Sequence, residues 1–171
     1  MKLQQIADLD YALSNYCLAH KFNRQVAFCS KGISHTGDGH FYVVLGLLLL
    51  CFEAEFGPSF FKSCLLGFAM QLPVYVLLKR TFKRSRPTNL PCFIRPSDQY
   101  SLPSGHSAAA FMMASQLAWF YPLVLSLVFI WASCIALSRV LLGVHFVSDI
   151  IAGAGLGMIF AYLSFVLTGA F

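Results

Sequence analysis

Three short groups of residues carry side chains able to hold and transfer a phosphate. Lys79 is followed after six residues by Arg86-Pro87, then comes Pro103-Ser104-Gly105-His106. Ser138-Arg139 is followed after five residues by His145 and after three more by Asp149. A phosphoryl group in transfer spreads negative charge over three equatorial oxygens, so catalysis is largely positioning and charge stabilisation. Arg86 and Arg139 offer planar donor forks matched to phosphate, and Lys79 adds a mobile point charge. Together the groups suit phosphoryl transfer through a histidine, with cationic side chains in place of a metal ion.

The spacing gives each residue a part. Ser104, Gly105 and His106 open an apolar segment, where the first backbone N–H groups of a helix lack partners and attract anions. Gly105 allows close backbone approach, Ser104 adds a hydroxyl, and His106 stands where it can protonate a leaving oxygen as general acid. His145 and Asp149 are four apart and share a helix face. A carboxylate on one imidazole nitrogen fixes the tautomer and leaves the other nitrogen as nucleophile or base. Arg80, Lys83 and Arg84 read as basic residues reaching for headgroups at a membrane surface. His20, His35 and His40 have no partner at a telling spacing and read as interfacial. The seven acidic residues are scattered, with only Asp149 inside a group, which argues against a metal site and implies no cofactor.

Those groups sit in a chain of 171 residues that is 58% hydrophobic and 11% charged. A soluble domain is about 45–50% apolar and about 25% charged. The apolar stretches are continuous, so the class is an all-α integral membrane bundle. The net charge of +5 comes from basic residues beside apolar segments. No basic tract interleaved with aromatics is present, which points to lipid phosphate headgroups and membrane lipids rather than nucleic acid. Six cysteines show no metal-ligand spacing and read as small apolar residues. Nothing in the sequence specifies an oligomeric state.

Five spans are expected, at about 40–56, 59–78, 104–121, 123–137 and 145–167, with Pro73 inside the second. Before them, residues 3–30 mix apolar and charged positions and read as one amphipathic helix lying in the interface. Gly37-Asp38-Gly39 marks a turn and cap before the first span. The division is therefore an interfacial segment, 1–38, and a membrane bundle, 39–171. Span parity puts all three groups on one face, leaving Glu53, Glu55 and Lys62 on the other. Eleven of the twelve Lys and Arg share the face of the three groups, which by the positive-inside rule would face the cytoplasm.

With its three groups in this order and spacing, the chain resembles the type-2 phosphatidic-acid phosphatase superfamily, membrane lipid phosphatases related to vanadium-dependent haloperoxidases. The family's three-part signature matches Lys79 to Pro87, Pro103 to His106 and Ser138 to Asp149 without substitution, over a stretch of about 70 residues. It implies that His145 forms a phosphohistidine, that Asp149 orients it and that His106 protonates the leaving group. It also implies that Lys79, Arg86, Ser104, Gly105 and Arg139 hold the phosphate, with vanadate as an inhibitor. Implied substrates are undecaprenyl pyrophosphate first, then phosphatidylglycerophosphate and phosphatidic acid, and a lipid phosphotransferase would use the same residues. Bacterial members work on the outer face of the cytoplasmic membrane, so the resemblance implies a periplasm-facing site, against the charge bias.

Overall fold

The computed structural model describes residues 3–96 and 98–169. Helices α1 (Leu3–Leu18) and α2 (Asn23–His35) precede α3 (Gly39–Phe52) and α4 (Gly57–Phe82). A long irregular segment leads to α5 (Gly105–Phe120), a short 3-10 turn at Pro122–Val124, α6 (Leu125–Leu141) and α7 (Val147–Leu167). No strand is present among the described residues, and five helices, α3 to α7, stand where five spans are expected.

Length separates these five. The helices at Gly57–Phe82 and Val147–Leu167 and the stretch Pro122–Leu141 are each long and apolar enough to cross a membrane alone. The pair α2 and α3 passes the same test together, across a 41° bend, giving three or four candidate spans. With 16 residues, α5 is only about 24 Å long at 1.5 Å per residue, short of a hydrocarbon core of about 30 Å. It is instead the most enclosed helix, with Ala108, Ala110, Met112, Met113 and Ala114 all buried. Leu47, Leu65, Ile130, Ile151 and Leu163 point outward from the helices around it, as a lipid-facing surface requires.

The closest packing, between α5 and α7, follows from two glycines four apart. A Cβ on Gly153 would lie 2.5 Å from the Ser104 carbonyl, and one on Gly157 would lie 2.2 Å from the Ala108 carbonyl. Small residues at this spacing let two membrane helices approach backbone to backbone. Farther along the same seam, Gln116 Nε2 donates to Ser164 Oγ at 2.7 Å and to the Ala161 carbonyl at 3.2 Å. The seam fixes the first turns of α5 and α7 side by side, where two of the three sequence groups lie.

The N-terminal region differs from the single amphipathic helix expected over 3–30. It is two helices, because the chain breaks at residues 19–22. There the Asn23 side chain donates to the Leu18 carbonyl at 3.2 Å, the local competition with helix bonding that asparagine offers. The two helices also contact the bundle. Asp10, Ser14 and Leu18 of α1 and Ala27, Ser30 and Ser34 of α2 are buried, and α2 lies along α6.

Candidate active site

At its C-terminal end α6 turns sharply into α7, and Gly143 makes the turn possible. Its φ is +74°, and a Cβ there would lie 1.9 Å from the Pro91 carbonyl, so only glycine fits. Phe93 N–H donates to the Leu142 carbonyl at 3.0 Å, tying the long segment to this turn. His145 follows, its side chain 3% exposed. Its Nδ1 is 3.5 Å from Asp149 Oδ2, beyond ordinary hydrogen-bond length, and has no hydrogen-bond partner among the described residues. Its Nε2 is 3.4 Å from the Arg86 guanidinium. A proton on Nδ1 facing Asp149 leaves the Nε2 lone pair directed at the cations. Burial, with smaller effects from the charges nearby, pushes the imidazole down to about 4, so it is neutral at pH 7.

Asp149 is held by more than His145. Oδ2 accepts the Phe146 N–H at 2.8 Å, an N-terminal capping bond of α7. Oδ1 accepts from the Arg84 guanidinium at 2.8 Å. The same guanidinium donates to Ser148 Oγ at 2.6 Å and Asp10 Oδ2 at 2.5 Å, and it lies 4.3 Å over the Phe146 ring. Arg84 therefore does not reach for headgroups as its sequence setting suggested. It joins a carboxylate of α1 to the carboxylate of the third group, because two buried acids beside it need a counter-charge.

Lys79 lies in the last turn of α4, which ends at Lys83 in a left-handed conformation with φ 46°. The Lys79 ammonium meets Asp98 Oδ2 at 2.5 Å and the Tyr100 carbonyl at 3.1 Å. Arg86 donates to Asp98 Oδ1 at 2.7 Å and to the Val144 carbonyl at 2.5 Å. One carboxylate thus spans both cations of the first group. Burial would raise Asp98, but the hydrogen bonds from Lys79 and Arg86 hold it below the usual carboxylate value. Tyr75 completes the cluster: its hydroxyl is 3.3 Å from Asp98 Oδ2, and a Cβ on Gly105 would lie 2.8 Å from that hydroxyl.

In the second group, Ser104 N–H donates to the Asp149 carbonyl at 3.0 Å, which locks the start of α5 to α7. The Ser104 hydroxyl is fully buried and caps α5, accepting from Ser107 N–H at 3.4 Å and Ser107 Oγ at 2.9 Å. His106 Nε2 is 3.0 Å from Asp38 Oδ1, while Asp38 Oδ2 is 2.9 Å from His35 Nδ1. Asp38 does sit at the N-cap of α3, but its side chain makes no capping bond because both oxygens are engaged elsewhere. His35, read as interfacial and unpartnered, has this carboxylate as its partner. Arg139 donates to Ser34 Oγ at 2.6 Å, and its Nε is buried without a partner.

A cavity of about 450 Å³ opens beside these residues, with Lys31, His35, Asp38, Arg95, His106 and Arg139 in its wall. Lys79, Arg86 and His145 are outside that wall; their side chains are 9%, 10% and 3% exposed. The expected residues of all three groups thus gather at one end of the bundle. Sequence reasoning missed the acids: Asp10, Asp38 and Asp98 join Asp149 there. The available signal was cost, since a carboxylate beside a membrane segment needs a partner.

The family model described as the PAP2 superfamily matches residues 61–171. Phosphatidylglycerophosphatase B of Bacillus subtilis is 32% identical over 149 residues, covering 77% of this chain and 70% of that protein. Decaprenylphosphoryl-5-phosphoribose phosphatase of Mycobacterium tuberculosis is 31% identical over 137 residues, covering 75% and 72%. Among solved structures, a transmembrane PAP2-type phosphatidylglycerolphosphate phosphatase from Bacillus subtilis superposes with a TM-score of 0.78 at 24% identity, covering 99% of this chain and 89% of that one. LpxE of Aquifex aeolicus gives 0.79 at 23% identity, covering 91% and 93%; at these identities the two structures speak to the fold. With apolar spans, a family model over most of its length and relatives of this identity, the chain is an integral membrane protein that belongs to the PAP2 superfamily of lipid phosphatases.

Proposed function

We propose that this protein hydrolyses a lipid phosphate or diphosphate, without a metal ion, through a phosphohistidine on His145. The observation that carries the reading is the pair of contacts on one imidazole, with Nδ1 facing Asp149 and Nε2 facing Arg86. Lys79, Arg86 and Arg139, with the Ser104 hydroxyl and the Gly105 backbone, hold the phosphoryl oxygens. The Nε2 lone pair of neutral His145 attacks the terminal phosphorus, the bond to the leaving oxygen breaks (the lipid oxygen of a monoester, the bridging oxygen of a diphosphate), and His106 gives that oxygen a proton. A water then attacks phosphorus and gives a proton to His106, while the phosphorus–nitrogen bond breaks and its electron pair returns to Nε2. Inorganic phosphate leaves and His145 is restored.

Undecaprenyl pyrophosphate is the leading substrate. Lys31 and Arg95 in the cavity wall beyond Arg139 supply more positive charge than a monoester demands, which suits a second phosphate. Phosphatidylglycerophosphate is the second reading, favoured by the name of the Bacillus subtilis relative. The setting is the bacterial cytoplasmic membrane with the site on the outer face. Exposed Cys92, in the segment leading to that site, is then labelled in intact cells by an impermeant maleimide. Labelling only after lysis would reverse the orientation.

The test of mechanism is a quench of purified protein during turnover of each labelled lipid, with chelator present. Acid-labile phosphate is expected on the wild type and on His106→Ala, and none on His145→Ala. Phosphate trapped on His145→Ala, or turnover lost to chelator and restored by magnesium, would overturn the reading. The substrate is the lipid of the panel with the highest kcat/KM.

A further inference from the structure

Asp38 is far from the three sequence groups, in the turn that joins α2 to α3. Its two carboxylate oxygens meet two imidazoles, Oδ1 with His106 Nε2 at 3.0 Å and Oδ2 with His35 Nδ1 at 2.9 Å. The turn is fastened to α6, the helix that carries Arg139. Trp131 Nε1 donates to Thr36 Oγ1 at 3.0 Å, and Arg139 donates to Ser34 Oγ at 2.6 Å. Gly37 lies so close to α6 that a Cβ there would be 2.7 Å from Ile135 Cγ2. Asp38 is therefore placed by the packing of its turn against α6 and is aimed at His106.

The chemistry at His106 gives this contact a purpose. A general acid must carry its proton before the leaving group departs. His106 shares its cavity with Arg139, Lys31 and Arg95, cations that oppose a second positive charge. A carboxylate on Nε2 offsets them and fixes the ring, leaving Nδ1–H as the proton to be given. His35 holds the other oxygen, so the carboxylate cannot rotate away.

We propose that Asp38 is a positioning residue for His106, holding the ring so that Nδ1 delivers the proton to the leaving oxygen. The proposal rests on the reading of His106 as the acid. In the step it supports, the phosphorus–oxygen bond breaks, the electron pair stays on the lipid oxygen, and the Nδ1 proton moves to that oxygen. The hydrolytic water later returns a proton to Nδ1, and Asp38 keeps its hydrogen bond to Nε2 throughout.

The experiment uses the full chain in detergent with two substrates, a short-chain phosphatidic acid and p-nitrophenyl phosphate. An alkoxide needs protonation as it leaves and a nitrophenolate does not. Asp38→Asn is expected to lower kcat on the lipid by about tenfold or more, since a general acid contributes on the order of 10²–10⁴. KM stays within about twofold, and the loss on p-nitrophenyl phosphate is far smaller. Asp38→Glu should recover part of the lipid activity. His106→Ala separates this proposal from the reading beneath it. If His106→Ala is selective for the lipid while Asp38→Asn affects both substrates alike or neither, the proposal fails and the acid assignment survives. If His106→Ala is itself unselective, both fall.

Discussion

His145 and Asp149 are four positions apart, one in the turn before α7 and the other in its first turn, whereas 68 positions separate Asp38 from His106. The first pair is nearly sealed, with side chains 3% and 0% exposed. The second stands at 25% and 28% in the wall of an open cavity. Asp149 is saturated by Arg84 and the Phe146 N–H and lies 3.5 Å from its histidine. Asp38 spends both oxygens on imidazoles. A nucleophile needs a dry, neutral ring with one nitrogen free, and the local pair in its buried turn supplies that. An acid has to reload from water, and a pair at a cavity wall has that access. The second pair also makes the site depend on α2, a helix carrying none of the three motifs.

The largest effect should come from breaking the local pair. Asp149→Asn is expected to lower kcat by roughly a thousandfold or more, the scale seen when a carboxylate that orients a catalytic imidazole is lost. It should leave vanadate binding intact, measured by inhibition of the residual activity. The same variant bears on protonation. Burial holds the His145 imidazole down at about 4, and Asp149 partly opposes that shift. Histidine-labelled NMR titration should show this ring staying neutral as pH falls from 7 to 5 in the wild type. In Asp149→Asn its protonation moves to still lower pH. A ring that titrates near 6.5 would remove the burial argument for a neutral nucleophile.

A middle-sized effect should follow from the charge that supports the local pair. Arg84 bridges Asp10 and Asp149 with its own side chain 24% exposed and theirs 4% and 0%. Arg84→Gln leaves two buried carboxylates without their cation, and removing one partner of such a set costs about 3 kcal/mol. Thermal unfolding in detergent should show a clear fall in Tm, and Asp10→Asn in the same background should restore part of it. An unchanged Tm would mean that the bridge contributes nothing to joining α1 to the site.

The smallest effect belongs to a third carboxylate. Asp98 faces Lys79 and Arg86 but is 37% exposed, so its pairs are weakened by water and worth up to about 1 kcal/mol. Removing that charge makes the two cations more available to an incoming anion. Asp98→Asn is expected to tighten vanadate inhibition by roughly threefold. Weaker inhibition would mean that Asp98 organises the cations instead of competing for them.

The sequence by itself determined the class and the three motifs. Continuous apolar runs allow only helices in lipid, and cations, hydroxyl and imidazoles at fixed spacing allow only a narrow chemistry. Both are local properties, written into composition and into short spacings; His145 itself lies just before α7, which begins at Val147, so its approach to Asp149 comes from the turn into the helix and not from a shared helix face. The tertiary structure alone decided how the acids pair. Asp10 reaches Arg84 across 74 positions, Asp38 reaches His106 across 68, and Asp98 reaches Lys79 across 19. No periodicity encodes such contacts. They exist because Gly153 and Gly157 draw α7 against α5, Gly143 turns α6 into α7, and α2 packs along α6. Where those surfaces meet, charges in a dry interior must find partners. Packing selects which partners they find.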